Sequence, residues 1–122
     1  MIDQNVPGLF DVTLGGVKRE VKVTFGLVDR LERRVLNRPL TSLLTEAAAQ
    51  VFRVSDMVTV IHEALVENKD KRMSYEEVGE AILRSPGGAS SVAGVYVDIL
   101  VYALTGGVPD DGSGNPVDDK KK

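Results

Sequence analysis

Between Val54 and Leu83 apolar residues recur at intervals of three and four, and the pattern restarts once in the middle. Met57, Val58, Ile61, Ala64 and Leu65 fall on one face of a helix, with Thr59, Glu63 and Glu67 on the other. Ser55 stands where an N-cap is expected, and Asp56 lies in the first turn, where its charge suits the positive end of the helix dipole. The polar run Asn68-Lys69-Asp70-Lys71-Arg72 has no apolar anchor and ends this helix. A second one starts at Ser74-Tyr75-Glu76-Glu77, a capping box in which the serine oxygen takes the N–H three residues on and Glu77 reaches back to the N–H of the cap. Tyr75, Val78, Gly79 and Ile82 line its apolar face. A helical glycine costs about 1 kcal/mol relative to alanine, a cost offset where helices approach closely, so Gly79 is expected at a crossing.

Upstream the period changes to two. Phe10 to Leu14 alternates, and Val17, Val21, Val23 and Phe25 oppose Lys18, Glu20, Lys22 and Thr24, with Arg19 breaking the apolar side. Gly15-Gly16 supplies the positive φ angles of a two-residue hairpin turn, so Leu14 should face Val17 and Phe10 should face Val21. A lone hairpin is marginal in water and must lie on something. No further alternating run follows, so that support is helical. Leu27, Val28, Leu31 and Val35 predict a first helix ended by Asn37-Arg38-Pro39, and Leu40, Leu43, Leu44, Ala47 and Ala48 a short second one. The fold expected is α+β, mainly α: a hairpin over 10–25 packed on a bundle of four to five short helices over 27–105.

Ser85-Pro86-Gly87-Gly88 breaks the chain, and Ser90 or Ser91 can cap a last helix running to about Leu104, closed by Gly106-Gly107. Val92, Val95, Tyr96, Val97, Ile99, Leu100, Val101, Tyr102 and Leu104 surround that helix, leaving Asp98 as its one charge. Such a helix is either the hub of the bundle or has one face meeting another chain. In the second case Val97 and Val101 are the residues of contact.

With 122 residues, one domain over 1–107 is expected. The Pro-, Gly-, Asp- and Lys-rich stretch 108–122, with almost nothing to bury, predicts a flexible tail. The net charge of −3 is made of interspersed residues of both signs, which speaks against a nucleic-acid footprint. Cysteine is absent, removing disulfides and thiolate metal sites. Met1 to Pro7 lacks a signal-peptide pattern, and no run of about 18 apolar residues suggests a membrane span. These features predict a soluble, cytoplasmic protein.

Chemistry is sparse. His62, the one histidine, borders the apolar face of the central helix with Glu63 and Glu67 expected to point away from it, so a metal or acid–base role is not favoured. The loop Ser85–Ser91 has the composition of a phosphate cradle but lacks the Gly-Lys-Ser/Thr end and a preceding strand. Asp110 to Asn115 lacks the alternating acids and closing glutamate of a calcium loop. No serine, threonine or lysine has a recognisable base partner. No catalytic, cofactor-binding or metal residue is assigned, and no enzyme activity is expected. Arg30, Arg33 and Arg34 share a side of the first helix, with Arg38 close behind, as a solvated face or a docking stripe for an acidic partner segment. A small helical DNA-binding regulator using these arginines on phosphate is the alternative reading.

The Gly-turn hairpin leading into Phe25-Gly26-Leu27, the helix with Leu31-Glu32, and the segments Val54-Ser55-Asp56-Met57-Val58 and Ser74-Tyr75-Glu76-Glu77-Val78-Gly79-Glu80-Ala81-Ile82 together resemble the small tail assembly chaperones of long-tailed phages and gene transfer agents, a group also labelled gene transfer agent tail tube proteins. The likeness spans roughly Phe10 to Leu104. Such relatives often carry glycine where this chain has Ala64, and nothing after Gly107 matches the pattern. The resemblance implies a non-catalytic protein, without cofactor, that binds the aggregation-prone tape-measure protein in the cytoplasm of the host or producing cell while tail tube subunits polymerise around it. It also allows a homo-oligomer as a storage form. A tube subunit itself needs a many-stranded sandwich, which one hairpin does not supply.

Overall fold

The structure, a computed structural model, describes residues 8–105. It is α+β and mainly helical. Strands β1 (Leu9–Leu14) and β2 (Val17–Lys22) form an antiparallel hairpin. Helix α1 (Phe25–Arg30) runs on into a π-helical turn (Leu31–Val35), and α2 (Leu40–Ala48), α3 (Val54–Glu67), α4 (Tyr75–Arg84) and α5 (Ser90–Thr105) come after it. The expected closure at Gly106-Gly107 and the tail over 108–122 lie outside the described residues.

The hairpin has the register that its glycines dictate. Gly15 and Gly16 take φ of +60° and +83°, and Leu14 pairs with Val17 and Phe10 with Val21. At the open end Val23 N–H donates to Gly8 O at 2.8 Å. A Cβ on Gly8, at φ +84°, would lie 2.8 Å from the Val23 carbonyl oxygen, so only glycine fits.

Burial of the second strand differs from the alternation. Val21 and Val23 are buried, but Val17 is 51% and Phe25 80% exposed. The hairpin is backed unevenly: α4 and α5 lie against β1 and α3 against β2, which leaves Val17 at the tip uncovered while Leu14 opposite it is buried. Phe25 is not in the strand at all. Thr24 Oγ1 accepts from Leu27 N–H at 3.1 Å, caps α1, and makes Phe25 an outward-facing first helical residue.

Helix α3 is the centre of the core. Met57, Val60, Ile61, Ala64 and Leu65 are all at most 1% exposed, Val60 being the one that the heptad-like stripe omits. Ser55 is not its cap; the helix begins at Val54 after an extended Arg53, and Met57 N–H bonds to Arg53 O. The first turn is held instead by an ion pair, Asp56 to Arg38 at 2.8 Å. Val35 is exposed rather than part of the α1 stripe, because the π turn closes with Leu36 N–H on Leu31 O, five residues back, and shifts the helical phase beyond Leu31. Ala48 likewise faces out, whereas Leu40, Leu43 and Ala47 are buried.

Helix α4 starts with both bonds of the capping box: Glu77 N–H to Ser74 Oγ at 3.1 Å, Ser74 N–H to Glu77 Oε1 at 2.8 Å. Its Gly79 faces α3, and a Cβ there would sit 3.6 Å from a Val58 methyl. Ser85–Ala89 is a linker between helices. Neither serine caps α5: Ser90 is already helical and the Ser91 hydroxyl donates to Gly88 O at 2.7 Å.

Candidate interaction surfaces

Helix α5 packs on α2, on β1 and on α3. Val92, Tyr96, Ile99 and Leu100 form its buried side, the Tyr96 ring lying 5.5 Å from that of Phe52, and Tyr102 meeting Phe10 edge-on at 5.8 Å. Burial, not any neighbouring charge, is the main reason that the Tyr96 hydroxyl is pushed above its ordinary pKa. The helix is not sunk all round. Gly94, Val97, Asp98, Val101 and Leu104 recur at three- and four-residue spacing on the other side, with Gly94, Asp98 and Leu104 at its more open positions and both valines half-buried. Val97 also touches the rim of the core, so of the two valines Val101 belongs more fully to the outer side.

The arginines expected to share one face are divided by the fold. Arg30 turns onto α3, with Nε 2.8 Å from Glu63 Oε1 and a further contact to Glu67 at 3.4 Å. Glu63, above all, raises the Arg30 pKa. Glu67 in turn accepts from Thr24 Oγ1 at 2.6 Å, and this bond, ahead of Arg30, holds its carboxyl below the usual range. Arg38 is clamped between Glu46 and Asp56, linking α2 to α3. The Glu46 contact is the larger cause of its raised pKa, and Glu46 is lowered in return. Arg33 and Arg34 remain on the surface, Arg33 with a single pairing to Asp29 at 3.3 Å. An extended basic face is therefore not formed: Arg30 and Arg38 are structural.

His62 is half-buried with its ring edge toward Tyr75, 6.4 Å between centroids. Glu63 does not point fully away, since its Oε2 lies 3.8 Å from Nδ1. Among the described residues no three metal-capable side chains gather, and no helix is long and apolar enough to cross a membrane.

Sequence reasoning missed several exposed apolar side chains, among them Phe25, Val51 at 68% and Leu83 at 61%, and it placed Tyr75, which is also exposed, on the apolar face of α4. Phe25 had a signal in Thr24, a strong N-cap residue that ends a strand as readily as it starts a helix. No protein-family model, curated protein or solved structure matches the chain.

Proposed function

We propose that the protein is a non-catalytic tail assembly chaperone that binds apolar helices of a tape-measure protein in the cytoplasm of the host or producing cell, before tube subunits polymerise around them. The observation that carries this is the outer side of α5, where Val97, Val101 and Leu104 leave apolar surface at helical spacing with Asp98 as its one charge. A stripe of that kind accepts an amphipathic helix by burial, and charges at its rim select the partner. Arg33 and Arg34 are the basic residues left to engage acidic groups of the client. The reading also draws on the resemblance of the sequence between Phe10 and Leu104. Self-association through the same stripe gives a storage form that the client displaces.

The regulator alternative loses its footing in the ion pairs: two of the four arginines it needs are bound to carboxylates of α2 and α3. Co-expression with a long helical tape-measure protein tests the proposal. The two should co-purify, and Val101→Glu should abolish that while the variant stays folded. A tape-measure protein that remains insoluble and unbound in the presence of the parent chain would overturn it.

A further inference from the structure

Three elements are tied to α3 or to the loop after it by polar side chains. The hairpin has Arg19 on Asp70 and Asn68 donating to Glu20 O, α1 has Arg30 on Glu63, and α2 has the Arg38 that precedes it on Asp56. Helix α5 has no such tie among the described residues. Its side-chain bonds are local, Ser91 Oγ to Gly88 O and Thr105 Oγ1 to Val101 O, and its one charged residue, Asp98, is exposed. Apolar contact holds it in place, and apolar contact is non-directional.

One group on α5 is placed to supply the missing tie. Tyr96 is fully buried in the middle of the helix, and its hydroxyl has no hydrogen-bond partner. A second orphan is Glu46 Oε1 on α2, buried although the rest of that side chain is partly exposed. The other oxygen of Glu46 is on Arg38, whose Nη1 donates to Asp56. These three charged residues are the ones that act on the Tyr96 hydroxyl beyond its burial, Asp56 first and Glu46 next. Of all elements α5 packs most extensively on α2, and Phe52, which lies between Glu46 and Asp56 in the chain, stands against the Tyr96 ring at 5.5 Å. A buried donor and a buried acceptor left apart each forfeit their bonds to water, whereas together they satisfy one another.

The covalent attachment of α5 is loose by comparison. Pro86 and Gly87 are exposed, Gly87 and Gly88 take φ of +88° and +56°, and a Cβ on Gly88 would meet nothing within 4 Å. The linker is thus unpacked where the backbone has its widest freedom. We propose that Tyr96 is the latch of α5: its hydroxyl engages Glu46 Oε1, directly or across one water molecule, and loss of that bond lets α5 swing out as a unit on the Gly87-Gly88 hinge. Opening wets Val92, Ile99 and Leu100 and carries the outer stripe away from α2, so the latch governs how the helix is presented. The inference goes beyond the client reading and does not rest on it: it concerns the buried side of α5, and its test uses the chain alone.

Native-state amide hydrogen exchange of the full chain is the test. The amides of Tyr96, Ile99 and Leu100 should exchange through a common opening, faster than those of Ile61 and Ala64 in α3. Tyr96→Phe, which removes one oxygen, should speed that opening about fivefold and leave the α3 amides unchanged. Glu46→Ala should also speed it, and the double variant should be no faster than the faster single one, because the two changes break the same bond. Circular dichroism confirms that each variant is folded; if Glu46→Ala is not, Tyr96→Phe alone decides. Exchange in α5 that Tyr96→Phe leaves unchanged or slows overturns the proposal, since the hydroxyl is then a burden and not a tie. So do effects of the two variants that multiply, or α5 amides that exchange only together with those of α3.

Discussion

Arg19 of β2 and Asp70 of the α3–α4 loop meet at 3.0 Å with their side chains 12% and 10% exposed, so the hairpin is pinned to the helices by a shielded charge pair as well as by its valines. Arg19, which interrupts the apolar alternation, is the reason that the polar run Asn68–Arg72 can turn without an apolar anchor. Asp70 also accepts from Arg72, and Arg72 first and Arg19 second hold its carboxyl far below the usual carboxylate range. A carboxyl lowered by folding stabilises the fold fully above its unfolded pKa of about 4, and that stabilisation is lost progressively as pH falls from there through the far lower folded pKa. Asp70→Asn should thus cost about 1–3 kcal/mol at pH 7, and the gap between variant and parent should narrow as urea melts are repeated from about pH 5 toward about pH 3. A gap that is constant with pH would mean that the aspartate acts by shape, not charge.

Gly79 and Val58 set a second expectation. The 3.6 Å between a methyl placed at Gly79 and the Val58 side chain is ordinary van der Waals contact, so Gly79→Ala should stabilise by about 0.5–1 kcal/mol through helix propensity. Gly79→Leu would push a larger side chain against Val58 and should destabilise by about 1–3 kcal/mol. Thermal melts of the two variants should move in opposite directions.

On α5, Val101→Glu should weaken association with little loss of folding, whereas Val97→Glu should weaken both, because Val97 also touches the core rim. Light scattering for mass and circular dichroism for melting separate the two effects. If both variants unfold while the surviving folded fraction keeps the parent's mass, the stripe is part of the core and the interface lies elsewhere.

His62→Ala removes a ring that touches Tyr75 edge-on and stands near Glu63. The change in stability should stay below about 1 kcal/mol, as for partly exposed positions without a buried polar network. A larger change, or loss of partner binding, would assign the histidine a role beyond its packing.

Local signals were the legible ones. The capping box of Ser74 and Glu77 and the Gly15-Gly16 turn each act over four residues or fewer, and both stand in the structure as the sequence implies. So does the apolar face of α3, whose five predicted positions are all buried. The features that escaped depend on distant parts of the chain. Val17 looks identical to Val21 in the alternation and differs only in having no helix behind it. Arg30 reads as part of one arginine stripe because its partners, Glu63 and Glu67, lie 33 and 37 positions away. The π turn over Leu31–Val35 leaves no mark on a pattern of apolar spacing that continues through Leu31. The contact of Phe10 with Tyr102 needed the position of α5, the last element among the described residues, to become visible.

That dependence of the first element on the last has a consequence during synthesis. At roughly 5–20 residues per second, the interval between the emergence of Leu14 and that of Thr105 is on the order of ten seconds. Through it the hairpin lacks α5, the helix that seats Phe10 against Tyr102. A two-stranded ribbon is not stable by itself, so the nascent hairpin is first fastened when α3 and the Asp70 loop emerge, and the Phe10 end of β1 gains its aromatic partner only later, when α5 follows.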